Sequence, residues 1–202
     1  MAAAVKQSGV TTTTIPPVDL AALERAEPGW TRLHLANSPA VTGGPAWDWL
    51  TDHPERLRFA TFRAADGALT GRAWFGPGCQ GPPGHAHGGS LASLLDLVMG
   101  GAAWAAGFPV VAAHLDIRYG RSVPLGRLMR FDARVERREK RVVHASGSVT
   151  DADGVTYTRG SGRFVILRRQ QLADFRAQQP PGADGVVWAG NPGLTGELAE
   201  GY

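Results

Sequence analysis

The stretch at 90–106, SLASLLDLVMGGAAWAA, sets the strongest limit on what this chain can fold into. Wound at 3.6 residues per turn it is apolar around most of its circumference, and a helix of that kind must be enclosed. Gly107 and Pro109 stop it, and a Pro/Gly loop, GPGCQGPPG at 76–84, leads into it. The material to enclose it lies on both sides. Segments 56–64 and 68–75 flank Asp66-Gly67, a hairpin signal. Beyond the helix, Val111, Ala113, Leu115, Ile117 and Tyr119 alternate with Ala112, His114, Asp116 and Arg118, a period of two. Met129, Phe131, Ala133 and Val135 repeat that period, as do Val143, Ala145, Gly147 and Val149, with a charged turn at 138–140 between them. Asp153-Gly154 marks another hairpin. In the last strand Val155 and Tyr157 hold one parity and Phe164 and Ile166 the other, so a bulge is expected near 160–162. These patterns predict an α+β fold, an antiparallel sheet around one buried helix, with one sheet face apolar and the other polar.

The ends are expected to be looser. Residues 1–17 are Thr-rich and end in Ile15-Pro16-Pro17, an arm without a packing pattern. Asp19 can N-cap a short helix over 20–27 that Pro28-Gly29 stops. Trp30, Trp47 and Trp49 among Pro and Gly make 30–54 packed loop and short helix, and a Gly/Pro-rich tail follows Gln179. The expected divisions are an N-terminal extension at 1–54, the main domain at 55–170, and a C-terminal helix end with tail at 171–202.

Composition narrows the function classes. With 43% apolar and 19% charged residues most of the 202-residue chain should fold, as one domain with a full core. No apolar run reaches the ~20 residues of a membrane span. The first residues lack the apolar core of a secretory leader, so a cytoplasmic location is expected. Cys79 is the only cysteine, which excludes an intramolecular disulfide and a cysteine-built zinc site. His85 and His87 lack a third ligand at a recognisable spacing. A net charge of +3 does not imply nucleic acid, although 118–141 concentrates nine basic residues against three acidic ones. Such a strip attracts phosphates, yet no aromatic stacking pattern accompanies it.

Chemistry concentrates where the loop meets the helix. In Gly84-His85-Ala86-His87-Gly88-Gly89-Ser90, the backbone N–H groups of Gly88 and Gly89 are read as free donors at a helix N-terminus, an oxyanion hole for a polarised carbonyl. Asp96 is a carboxylate among apolar neighbours, a placement that costs desolvation unless the group is paired or used. It would serve as general base or nucleophile. Nine residues turn a helix by 900°, so His87 and Asp96 point half a turn apart and ~13 Å along the axis. They would meet only across a two-fold axis, which predicts a dimer with shared sites.

The order hairpin, GPPGHAHGG at 81–89, long helix with Asp96, then strands beginning HLDIRYGRSVPLG at 114–126 resembles a hotdog-fold thioesterase. The nearest subgroup is the phenylacetate-pathway type, and the likeness runs over 57–167. It implies a homodimer or dimer of dimers that hydrolyses thioesters of CoA or of an acyl carrier protein, with no cofactor, metal, nucleic acid or membrane. It implies Asp96 as base or nucleophile, Gly88 N–H as the oxyanion donor and His87 as an orienting residue. Gly89, Ser90 and Arg121 become substrate contacts, Arg121 for the phosphates. Ala112, Gly81 and Gly120 stand where family members often carry a Thr or Ser, an Asn and a Lys. Two further readings therefore remain: a non-hydrolytic hotdog enzyme using Asp96 for proton transfer, and a non-catalytic acyl-thioester-binding or scaffold protein.

Overall fold

The computed structural model describes residues 18–33 and 55–177. Seven antiparallel strands form one sheet in the order β1-β2-β3-β5-β6-β7-β4. They are β1 (Thr31–Leu33), β2 (Leu57–Arg63), β3 (Leu69–Phe75), β4 (Val110–Tyr119), β5 (Leu128–Glu139), β6 (Val142–Thr150) and β7 (Thr156–Ile166). Helix α1 (Gly88–Ala105) lies between β3 and β4 in the chain and packs across the sheet, and α2 (Arg169–Ala177) follows β7. This is the expected hotdog architecture. Gly67 at φ +85° closes the β2–β3 hairpin, and Lys140 at φ 52° turns β5 into β6.

Leu91, Leu94, Leu95, Val98, Met99, Ala102 and Ala103 of α1 are buried together with Leu57, Leu69, Phe75, Met129, Phe131, Val143 and Phe164 of the sheet. The helix runs antiparallel to β4: its start lies beside Tyr119, and Trp104 Nε1 near its end donates to Val110 O at 3.0 Å. β4 pairs only with β7, so its other edge is unpaired among the described residues.

Several local expectations need correction. The irregularity in the last strand lies at Tyr157 and not near 160–162: β7 skips that residue between the pairs Thr156–Thr150 and Thr158–Val149, and Thr158, Gly162, Phe164 and Ile166 beyond it are all buried. The glycines carried the inward face, and glycine has no hydropathy to display it. A second shift lies in β4, between Ala112 and His114, so Val110 is buried and Val111 exposed. The predicted 20–27 helix is a 3-10 turn over Leu20–Glu24, capped as expected by Asp19, whose side chain accepts from Ala21 N–H. Thr31–Leu33 is a strand rather than loop, pairing with β2. The arm at 1–17, the segment holding Trp47 and Trp49, and the tail lie outside the described residues.

The sheet is not polar over all its outer face. Leu23, Ala60, Phe62 and Trp74 are buried there in a second cluster, with Trp30 and Leu128 packed against it. Glu27 bridges Arg72 and Arg130, and both guanidinium groups lie over the Trp30 ring, 5.1 and 5.4 Å from its centroid. The N-terminal segment therefore covers β2 and β3, and the clean alternation of polar and apolar faces holds only further along the sheet.

Thr158 Oγ1 is buried without a hydrogen-bond partner. Thr158→Val keeps the shape and removes that unmet need. It should raise the unfolding free energy by about 1 kcal/mol or more, read from the denaturant midpoint at unchanged m-value.

Candidate active site

The loop before α1 is built by its prolines and glycines. His85 N–H donates to Pro82 O at 2.9 Å, with Pro83 second and Gly84 third at φ +73°, the residue order of a type II turn. The loop then folds back on itself. A Cβ on Gly81 would stand 2.8 Å from His87 Cα, so no side chain fits there without a shift. His87 N–H donates to Cys79 O at 2.7 Å and Ala86 N–H to Val123 O at 2.8 Å, which fix where the helix begins.

His87 is the N-cap. Its Nδ1 accepts from Gly89 N–H at 2.9 Å, which places the ring proton on Nε2. The two free donors expected from the sequence are thus reduced to one. Gly89 N–H is occupied, whereas Gly88 N–H donates to none of the described groups. The glycine pair also has a packing reason. A Cβ on Gly88 would meet the Tyr119 ring at 3.3 Å, and one on Gly89 would meet His87 Nδ1 at 3.0 Å. Tyr119 Oη donates to Gly88 O at 3.0 Å. Sequence reasoning missed both clamps. A histidine directly before a glycine pair at a helix start was the available signal for the cap; the Tyr119 contact spans 31 residues and left none.

Asp96 lies two turns into α1, half-buried, with no hydrogen bond or ion pair to a described residue. Desolvation pushes its carboxyl above the ordinary value, with no cation or donor to oppose that. It shares a helix face with Gly100, one turn on, where a Cβ would stand in ordinary contact with the Phe164 ring, 3.4 Å away. Asp96 therefore faces the flank of the helix that lies toward β7 and β4, and His87 and Asp96 of one chain stand apart on the helix as the spacing requires.

Burial pushes the Cys79 thiol up, and the nearby Ser90 side chain counters part of that. Arg121 is exposed just past β4. Its backbone N–H donates to Tyr157 O, and its side chain makes no bond to a described residue. Several other residues of the basic strip disperse into structure. Arg127 pairs with Asp151, Arg130 with Glu27 and Arg137 with Glu139, while Arg141 donates to Ile166 O. Arg118 is largely exposed and reaches only Asp116, at 3.6 Å. No group of three or more His, Cys, Asp or Glu among the described residues could hold a metal ion. No described helix is long and apolar enough to cross a membrane.

Residues 83–158 match the family model described as "Thioesterase superfamily". Within this chain the likeness to that superfamily is shown for residues 83–158. The chain is 35% identical over 97 residues to "Acyl-coenzyme A thioesterase THEM5" of Mus musculus, covering 48% of this chain and 39% of the relative. It is also 35% identical over 94 residues to "Acyl-coenzyme A thioesterase THEM4" of Xenopus laevis, covering 46% and 42%. The chain thus spans about two fifths of the length of these curated relatives. A solved thioesterase superfamily protein aligns at TM-score 0.50 and 32% identity, over 52% of each chain. Zebra fish thioesterase superfamily member 2 aligns at TM-score 0.55 over 64% of this chain and 92% of its own; at 20% identity it shows the shared fold.

The Asp96 environment has a consequence for stability. Its folded pKa is raised, so the folded chain keeps a proton that the unfolded chain has already lost. Stability therefore falls as pH rises from the unfolded value through the raised folded value, and stays lower above it. Asp96→Asn removes this loss. At neutral pH the variant should unfold at the same or a higher temperature than the parent, and the gap should close in acid. A neutral-pH loss of several degrees would mean that the carboxylate makes a stabilising contact.

Proposed function

We propose that the chain hydrolyses acyl thioesters, with acyl-CoA as the substrate class and Asp96 as general base or nucleophile. One observation carries the reading: an unpartnered carboxylate with a raised pKa lies on the same helix as a single unengaged N–H, that of Gly88. The names of the curated relatives support the substrate class. As base, Asp96 takes a proton from water, and the resulting hydroxide attacks the thioester carbonyl. Gly88 N–H stabilises the oxyanion; the C–S bond then breaks and the thiolate takes up a proton. As nucleophile, Asp96 would form an acyl anhydride with release of the thiol, and water would then open it. Arg121, exposed beside the start of α1, suits the phosphates of CoA.

The site is shared between two copies. The unpaired edge of β4 is a template for a second β4, and an antiparallel two-fold pairing turns the glycine end of one α1 toward the Asp96 flank of the other. A second reading, proton transfer without hydrolysis, draws on the absence of any described hydroxyl bonded to Asp96 that could hold a water.

Two experiments decide between these. Asp96→Asn should lower thiol release from an acyl-CoA panel by about 10²–10⁴-fold, with parental kcat rising with pH along the Asp96 ionisation. No thiol release by the parent, with an Asp96-dependent product of equal or dehydrated mass, selects the second reading. Mixing Asp96→Asn chains with Gly88→Ala chains should restore about a quarter of parental activity, since half the dimers are hybrids and each hybrid holds one intact site. A fully active monomer at high dilution would overturn the shared site.

A further inference from the structure

The structure assigns Tyr119 a positioning role: its hydroxyl and ring fix the Gly88 turn and so aim the one N–H left to polarise a carbonyl. This rests on the hydrolytic reading above and names what holds its oxyanion donor in place. Glycine is the least constrained residue, so a catalytic donor carried by Gly88 has to be held by its neighbours. Every polar backbone group on either side of it is engaged. His87 O accepts from Ser90 N–H at 3.0 Å. In the next peptide, Gly88 O accepts from Tyr119 Oη at 3.0 Å, and Gly89 N–H donates to His87 Nδ1 at 2.9 Å. That peptide plane is thus gripped at both ends by side chains. The Tyr119 ring closes the remaining side, since a Cβ on Gly88 would stand 3.3 to 3.5 Å from its Cζ, Cε1 and Oη.

The placement of Tyr119 adds a second consequence. It is the last residue of β4, the unpaired edge strand, and it pairs in register with Thr158. Immediately beyond it, Gly120 N–H and Arg121 N–H both donate to Tyr157 O, at 2.8 and 3.0 Å, which anchors the strand end. The aim of the Gly88 N–H is therefore tied to the edge strand, 31 residues away in sequence. Whatever pairs with that edge acts on the donor through Tyr119. The side chain is 53% exposed, so losing its hydroxyl opens no hole in the core.

Tyr119→Phe keeps the ring and removes the donor. We expect kcat for acyl-CoA to fall about tenfold or more, the scale of a misplaced catalytic group. KM should change less than about twofold, the ionisation limb of the pH profile should stay in place, and the fold should be kept. Amide hydrogen exchange at Gly89, whose N–H is bonded to His87 Nδ1, should quicken in the variant when followed without substrate. An unchanged kcat overturns the assignment. So does a rise in KM alone, which would make Tyr119 a substrate contact, or a shift of the pH limb, which would make its phenol a proton donor. Unaltered exchange at Gly89 overturns the clamp itself. If the parent releases no thiol from any acyl-CoA, the hydrolytic reading fails and the catalytic role fails with it, while exchange still judges the clamp on its own.

Discussion

Leu95 and Met99 of α1 press into a hollow made by Gly147 on β6 and Gly160 on β7, where a methyl group on either glycine would stand 3.2 or 3.3 Å from them. The helix can lie this close to the sheet only because both strands give up a side chain at the crossing. That approach buries Leu94, Leu95, Val98 and Met99 completely, each such side chain contributing about 1.5–3 kcal/mol relative to exposure. It also sets the height of everything else on the helix. The glycine end meets Tyr119, Trp104 meets Val110 O, and Asp96 is held at half burial on the flank. A larger residue at position 147 or 160 would lift the helix and disturb all three together.

The fold was legible where hydropathy alternates. The helix was expected at 90–106 and forms over Gly88–Ala105, and both hairpin signals lie between strands. What escaped has physical causes. β7 breaks register at Tyr157, and beyond it the inward face is carried by Gly160 and Gly162, which show no hydropathy, so the sequence places the break too far along the strand. β1 is three residues long and owes its pairing to β2 rather than to its own pattern. The apolar outer face of β2 and β3 is covered by a segment some 30 residues earlier, a long-range pairing that no local window contains. The site was half legible. The composition of the loop and the odd carboxylate located it, but which N–H stays free depends on where two side chains point, and that is tertiary information.

The basic strip teaches the complementary lesson. Charge density along a sequence counts side chains, whereas a binding surface counts those left unpaired on one face. Between 118 and 141, period-two geometry sends neighbours to different lanes, and partners as distant as Glu27 and Asp151 take up Arg130 and Arg127. Arg121 keeps its availability because the chain leaves the sheet there, beyond the last β4–β7 pair. Its candidacy comes from its place next to the helix start and not from the run of arginines.

Three unmet requirements lie on one side of this domain. Among the described residues the β4 edge offers backbone groups without partners, Gly88 presents an unengaged N–H beside the end of that strand, and Asp96 faces the same flank with its charge incompletely solvated. Elsewhere many comparable groups of the described chain are satisfied, as the paired Arg72, Arg127 and Arg130 and the capped turns show, with buried Thr158 Oγ1 and Trp74 Nε1 as exceptions. A carboxylate held at half burial weakens the folded state whenever it is ionised, by the sign of its shift. A backbone donor left without an acceptor adds to that cost. Stability alone would have replaced Asp96 with Leu or Asn and let Gly88 donate to a side chain. Keeping both, next to an open strand edge, makes sense if a second copy and a substrate together supply what the single chain lacks, with Tyr119 as the contact through which the strand edge reaches the donor.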